Sequence, residues 1–366
     1  MRVESLTTDN FRVLQNQTVT FRDGVNVICG ANAQGKTTLL EAVFLLTGNK
    51  SFRTRFDREL IAFDKDDALL SASLEAGGRQ QQLEMQFFRG RRRQIRVNRV
   101  KKSAPELSES LKAVLFCPDD LQLLRGGAAE RRKMMDSAIS QLRPGYRSLL
   151  SDYNKLYDNK SAILKDWRER PDMLAALDDF NDALCHCSAR IIRYRAGFVR
   201  RLEEQALPVH REFSGGSEEL RCRYTTVSTV TDPEGSESGI YEEIALRQRQ
   251  LRQAELDSGQ CLVGAHKDDM DITINGASAR SYASQGQVRT GALSLKIAER
   301  EIFLRETGEP PVLLLDDVLS ELDSERQKFV LNRIGGGQTL ITSCDESSLE
   351  RLTGGAVLRL EGGRVL

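Results

Sequence analysis

The sequence predicts an α/β domain assembled from both ends of the chain, with a mainly helical arm domain inserted between them. Three observations carry this expectation. A short apolar strand, "VNVICG" (Val25–Gly30), leads through a glycine-bearing turn into helical text, "TTLLEAVFLL". A second apolar strand, "PVLLLDD" (Pro311–Asp317), stands far downstream, and strand signals resume around it. Between the two, from about Ala128 to Leu207, strand patterning almost vanishes.

Residues 1–118 read as mostly β with one helix, the N-terminal lobe of the α/β domain. Within it "QQQLEMQFF" and "RQIRVNRV" alternate like neighbouring strands of a hairpin. The arm is expected over 119–257. Its segments 145–169 and 172–206 predict two antiparallel helices joined at "RERPD" (Arg168–Asp172), the longer about 50 Å at ~1.5 Å per residue. "SGGSEE" and "TDPEGSESG" mark loops around a short strand, "LRCRYTT". From 258 to 366 the text is α/β again. A hairpin "MDITINGASA", a helix from Val288, the "PVLLLDD" strand, a helix, the strand "TLITS" and a last hairpin follow in order.

Composition narrows the class without choosing a partner. At 366 residues there is room for about two domains with separate cores. Lys plus Arg and Asp plus Glu number 53 each, so any nucleic-acid surface must be a local patch. No apolar run is long enough to span a bilayer, and Met1-Arg-Val-Glu-Ser is not a targeting segment. Seven unevenly spaced cysteines suit a reducing cytoplasm better than a disulfide framework. Cys185-His186-Cys187 invites a metal reading. Neighbours two apart on a helix face different sides, however, and no second pair follows at zinc-site spacing, so ordinary helix positions are expected.

"GANAQGKT" (Gly30–Thr37) matches the phosphate-loop pattern G-x-x-x-x-G-K-[ST], in the strand-to-helix context that pattern requires. Its glycines let the backbone wrap a phosphate, and the amides at a helix N-terminus favour the anion. Gly30, Ala31, Asn32, Ala33, Gln34, Gly35, Lys36, Thr37 and Thr38 are the candidates for ATP. Lys36 is expected to reach the β- and γ-phosphates and Thr37 to ligate Mg²⁺. Asp316, at the end of its strand, is the second expected Mg²⁺ group, and Asp317 the residue that orients or deprotonates the attacking water. Lys36 and Asp316 are 280 residues apart, yet both serve one Mg²⁺. Their strands are therefore expected to be spatial neighbours, and the spacing excludes simple P-loop kinases and small GTPases.

A phosphate loop and an Asp pair split by a large insertion, with S-x-G-Q about 30 residues before the Asp pair, resemble an ABC-type ATPase head. Ser284-Gln285-Gly286-Gln287, within "SYASQGQVRT", looks like that superfamily's signature motif; a plain helix N-cap is the bland alternative. Within the superfamily the chain resembles the bacterial RecF family along nearly its whole length. The matching segments are "NFR", "GANAQGKT", "SFRT", "FCPDDLQLLRGGAAERRKMMD", "GAHKDDM", "YASQGQVRT" and "LLLDDVLSELD". This resemblance implies a cytoplasmic repair protein that binds DNA and dimerises around two ATP molecules. It implies weak, DNA-stimulated ATP hydrolysis and action with RecO and RecR to load RecA at single-strand gaps.

By position, the resemblance places Arg12 near the phosphates, with Asn32, Gly35, Lys36, Thr37 and Thr38 in the loop. It implies that Ser284, Gly286 and Gln287 cap ATP held by a second subunit, and "SELD" (Ser320–Asp323) resembles a loop crossing the dimer interface. Two departures stand out. Transporter-type relatives carry Glu where this chain has Asp317, and a switch His where it has only "TSCDE" (Thr342–Glu346). Gln122 is the candidate for the metal-contacting Gln at the junction with the arm.

"RGRRRQIRVNRVKK" (Arg89–Lys102) holds eight basic residues and no acid. Arg91, Arg92, Arg93, Arg96, Arg99, Lys101 and Lys102 are the DNA candidates through sequence-independent phosphate contact; a solvated edge strand stays open beside that reading. "RIIRYRAGFVRR" (Arg190–Arg201) is expected to be a solvated helix face. Aromatics make up only 6% of the chain, so duplex backbone is the expected DNA feature. His266 in "GAHKDD" is read as structural, or as a link to the signature helix, ahead of a catalytic dyad. Two other functions compete, a transport-coupled ATPase subunit and a non-catalytic ATP-locked scaffold. DNA-stimulated turnover separates the first, and single-turnover kinetics the second.

Overall fold

The computed structural model describes residues 1–226, 229–344 and 354–366. The chain divides into two compact units, Met1–Leu121 with Ala292–Leu366, and Gln122–Gly291. The second unit thus continues past the 257/258 break expected from sequence. The reason is pairing: strand Asp269–Ile274 lies antiparallel to Leu220–Thr225, which fixes the "MDITINGASA" hairpin in the unit that holds the helices.

The first unit contains two six-stranded sheets. One is antiparallel, running Gln17–Thr20, Arg2–Asp9, Asp67–Ala76, Arg79–Phe88, Gln94–Val97 and Val100–Lys102. Alternation sets its faces: Ala68, Leu70, Ala72 and Leu74 point to one side and are buried. "RQIRVNRV" is not a single strand. Asn98 and Arg99 both take positive φ, 50° and 68°, and make a two-residue turn that brings Val100 opposite Val97. Asn98 is suited to that conformation, and its Oδ1 accepts the Gln82 N–H at 2.9 Å.

The other sheet runs Arg364–Val365, Ala356–Glu361, Val25–Cys29, Thr339–Ser343, Val312–Asp316 and Ala113–Phe116, parallel except for the first. Helix Lys36–Leu45 shares one core with both sheets: Leu39, Leu40 and Val43 cluster with Leu6 and Leu70 of one and Leu314 and Leu340 of the other. A helix covered on both sides reads apolar all round, as "TTLLEAVFLL" does. Each such leucine, fully buried, contributes about 1.5–3 kcal/mol.

In the second unit, helices Ala128–Leu142, Pro144–Asp166, Leu177–Phe213 and Glu237–Ser258 accompany a three-stranded sheet. The helix expected to stop by 206 runs through Pro208 to Phe213. Pro208 removes one backbone donor, but Leu202, Ala206, Val209 and His210 around it are buried and hold the turn. Lys160 and Glu255, both fully buried, pair at 2.8 Å, and Gln248 also accepts from Lys160, at 2.9 Å. Such a pair is costly to break on one side only. Helix Gln285–Thr307 begins in this unit and ends in the first. Among the described residues no helix is long and apolar enough to cross a membrane.

Candidate nucleotide-binding site

Local backbone chemistry shapes the loop between Val25–Cys29 and Lys36–Leu45. A Cβ on Gly30 would lie 2.3 Å from the Leu360 carbonyl oxygen, so the close approach of the neighbouring strand excludes any side chain there. Gly35, at φ 107°, occupies the N-cap of the helix, and Ala33 sits at φ 64°. Ala31, Asn32 and Ala33 are exposed at the rim, while Lys36 and Thr38 are buried. Lys36 Nζ donates to Gly30 O at 2.6 Å and Ala31 O at 2.9 Å. The Gln34 carboxamide oxygen accepts from the Gly362 N–H.

Across the sheet, Thr37 Oγ1 donates to Asp316 Oδ1 at 2.8 Å. The two strands are not adjacent, contrary to the expectation from spacing: Thr339–Ser343 lies between them. Its Thr342 hydroxyl donates to the same Asp316 oxygen at 2.8 Å and accepts the Asp317 N–H at 2.9 Å. Burial pushes the Asp316 carboxyl up from its ordinary 3.8, against the pull of the two hydroxyl donors. Asp317 takes φ 53°, and its carboxylate accepts from Ser320 Oγ at 2.9 Å. Asp323 caps helix Ser324–Arg333 through the Arg326 N–H at 3.0 Å; the Glu321 side chain lies outside the described residues.

A buried carboxylate organises the other side of the loop. Glu41, on the phosphate-loop helix, has no exposed surface and takes Arg12 Nε at 2.7 Å, Arg53 at 3.5 Å and the Ser51 hydroxyl. Arg53 also donates to Thr38 Oγ1 at 3.2 Å. "NFR", the helix and "SFRT" thereby meet at one side chain. The exposed Cys344 thiol lies 3.3 Å from Lys36 Nζ and donates to Asn32 Oδ1 at 2.9 Å. Asp345 and Glu346, the rest of "TSCDE", lie outside the described residues. Sequence reasoning does not single out Thr342, Glu41, Arg53 or Cys344 as site residues. Thr342 and Glu41 look like any strand threonine and helix glutamate, and only the "SFRT" match pointed towards Arg53.

The donor set suits a hard cation. Thr37 and Asp316 present a hydroxyl and a carboxylate, and no group of three or more His, Cys, Asp or Glu gathers for a metal among the described residues. Oxygen donors in that number match Mg²⁺, which takes its other ligands from phosphates and water.

In the second unit, Ser284 opens helix Gln285–Thr307 with a reciprocal cap. Its Oγ accepts the Gln287 N–H at 3.2 Å, while Gln287 Oε1 accepts the Ser284 N–H at 2.8 Å. Gln287 Nε2 also donates to Glu218 at 2.9 Å. Ser284 is exposed, and Gly286 half-buried. Gln122 is exposed at the start of helix Gln122–Arg125. His266 bonds the Tyr153 hydroxyl through Nδ1 at 2.7 Å and the Cys261 carbonyl through Nε2 at 3.1 Å. Burial holds its pKa down at about 4. His186 stacks on Tyr241 at 4.0 Å while Cys185 is buried.

The basic stretch is mixed. Arg93 pairs with Asp57 at 3.3 Å, Arg96 with Glu84 at 3.7 Å and Lys102 with Glu106 at 2.8 Å. Arg91, Arg92, Arg99 and Lys101 are exposed, with no acidic partner among the described residues. On the arm helix, Arg195 is buried against Asp136 at 2.8 Å, and Arg200 pairs with Glu204 and Glu234.

Comparison with known proteins decides the family. The family described as RecF/RecN/SMC N terminal domain matches residues 2–358. A DNA replication and repair protein RecF of Acetivibrio thermocellus is 35% identical over 100% of this chain and 99% of its own length. The chain belongs to the RecF family. A RecF of Clostridium acetobutylicum is 36% identical over the same shares. A solved structure of the recombination mediator protein RecF-ATPrS in the RecFOR pathway superposes with TM-score 0.92 at 35% identity, covering 100% of this chain and 97% of that one. An Smc head domain from Pyrococcus furiosus, 14% identical with TM-score 0.55, shares the fold. The RecF-family chain is therefore a mixed α/β ATPase head with a large helical insert.

Proposed function

We propose that this chain is an ATP-switched DNA repair protein whose dimer closes around two ATP molecules, hydrolyses them slowly and opens again. The convergence of Thr37 and Asp316 on one 2.8 Å contact carries the reading. A bound Mg²⁺ would supply neutralisation of the β- and γ-phosphate charge. Thr37 and Asp316 would hold it, with Thr342 fixing the carboxylate. Lys36 would leave the Gly30 and Ala31 carbonyls for the phosphate oxygens, and the amides of 31–38 would cradle the β-phosphate. Arg12, fixed by Glu41, would stand beside the phosphates. Asp317 would orient or deprotonate the attacking water, a step made slow by its short side chain.

Ser284, Gly286 and Gln287 would complete the site of a second copy. A hydroxyl, a Gly amide and a helix N-terminus form an anion clamp. The exposed Arg91, Arg92, Arg99 and Lys101 would contact DNA phosphates. Similarity to the RecF proteins supports a cytoplasmic role in the RecFOR pathway, with RecO, RecR and RecA as associates. Single-turnover hydrolysis with Mg²⁺, with and without DNA, tests the reading. Slow turnover raised by DNA is expected; no turnover under any condition would reduce the chain to an ATP-binding scaffold.

A further inference from the structure

Folding leaves a large apolar side chain uncovered beside the phosphate-binding element of each unit. In the first unit Val13, directly after Arg12, is 58% exposed. Its Cγ2 lies 3.3 Å from where a Cβ on Gly35 would stand, so it packs along the phosphate loop. The backbone around it is fixed. The Leu14 N–H donates to Phe11 O at 3.0 Å, and the Gln15 N–H to Gly363 O at 2.9 Å.

In the second unit Tyr282, two residues before Ser284, is 77% exposed. Its surroundings are held as well. The Ala283 N–H donates to Ala279 O at 3.2 Å, and Arg125 donates to the Ala283 carbonyl at 2.7 Å. Ala283 is extended, at φ −65° and ψ 133°, so the chain covers about 7 Å between Ser284 and Tyr282. The phenol ring adds its own length to that reach. With Ser284 at a γ-phosphate, the ring comes level with the ribose and base, past the phosphates. A base offers two flat faces, and covering them calls for apolar or aromatic surface on both sides. Gly30–Thr38 holds no aromatic residue, and Phe11 is fully buried, so neither can stack on a base held at the loop.

We propose that Tyr282 of one copy stacks on the base of the ATP held by the other copy, whose Val13 covers the opposite face. The inference rests on the two-copy site proposed above and adds the surface that recognises the base.

The test mixes two full-length variants, Lys36→Ala and Ser284→Arg, so that a mixed dimer has one working site. ATP then sits on the Ser284→Arg chain and is capped by the Lys36→Ala chain. Tyr282→Ala is added to one chain at a time. ATP hydrolysis is followed, together with its inhibition by ribose 5-triphosphate, which has no base. On the Lys36→Ala chain, Tyr282→Ala should raise the KM for ATP roughly tenfold and leave inhibition by the base-free compound unaltered, while Tyr282→Phe should keep the KM low. On the Ser284→Arg chain it should not change the KM, because that ring faces the disabled loop. Val13→Ala should act in the mirrored placement, on the chain that holds ATP. A KM unchanged by Tyr282→Ala in both placements would overturn the inference alone. An equal weakening of the base-free inhibitor would overturn it too, marking a contact between the two chains rather than with the base. A mixture that hydrolysed no ATP even with Tyr282 intact would overturn the two-copy reading along with it.

Discussion

Thr37 Oγ1 and Asp316 Oδ1 lie 2.8 Å apart across 279 residues of chain, and the Thr342 hydroxyl reaches the same oxygen from the strand between them. Three segments remote in sequence thus share one carboxylate. The bonds place a hydroxyl and a carboxylate together at the helix N-terminus where a phosphate would bind. Thr342→Val should leave the fold intact, because the residue is buried in a strand and valine matches its shape. It should weaken Mg²⁺-dependent nucleotide binding several-fold, read by titration with labelled ATP at varied Mg²⁺. Unchanged Mg²⁺ dependence would remove Thr342 from the site.

Asp317→Asn should retain ATP binding, lose hydrolysis and prolong the closed dimer. Asparagine tolerates the φ of 53° that the position demands, so the backbone should not be disturbed. Single-turnover kinetics check this. Normal turnover would reassign the water-orienting role.

Glu41 is buried among Arg12, Arg53 and Ser51. Glu41 itself is fully buried, but its removal leaves two arginines that water partly reaches, so the loss falls below the ~3–5 kcal/mol of breaking a fully buried pair. Glu41→Ala should still lower the melting temperature clearly, and Glu41→Gln less, because it keeps a hydrogen-bonding side chain. Equal melting temperatures for Glu41→Ala and wild type would contradict the packing described.

His266 gives stability a pH dependence. Its folded pKa of about 4 lies below the ordinary 6.5, so the unfolded chain binds the proton first as pH falls. The contribution is complete above pH 6.5 and is lost progressively towards pH 4. Denaturant unfolding at stepped pH should show a steeper decline for wild type than for His266→Gln. Identical slopes would mean that His266 does not titrate in this window.

Much of this was legible in the sequence because the motifs are local. The phosphate loop, the Asp pair and the Ser284 turn each occupy one short stretch whose residue types have a direct chemical reason. What was not legible is what tertiary pairing decides. Strand order placed Thr339–Ser343 between the two motif strands, and nothing in "TLITS" announces it. Glu41 sits in an apolar helix, where only packing shows that it binds two arginines. The positive φ of Asn98 and Arg99 split a stretch whose alternation read as continuous. Pro208 signals a helix end, yet buried neighbours override that signal.

The central claim is that one chain carries two halves of different sites. Lys36→Ala disables the phosphate loop, and Ser284→Arg disables the signature turn. Mixed together with ATP and Mg²⁺, the two variants can form a dimer with one intact composite site, if each site spans two copies. ATP hydrolysis absent from either variant alone should then return in the mixture. A mixture as inactive as its components would contradict the account, because each chain would then need both halves for itself.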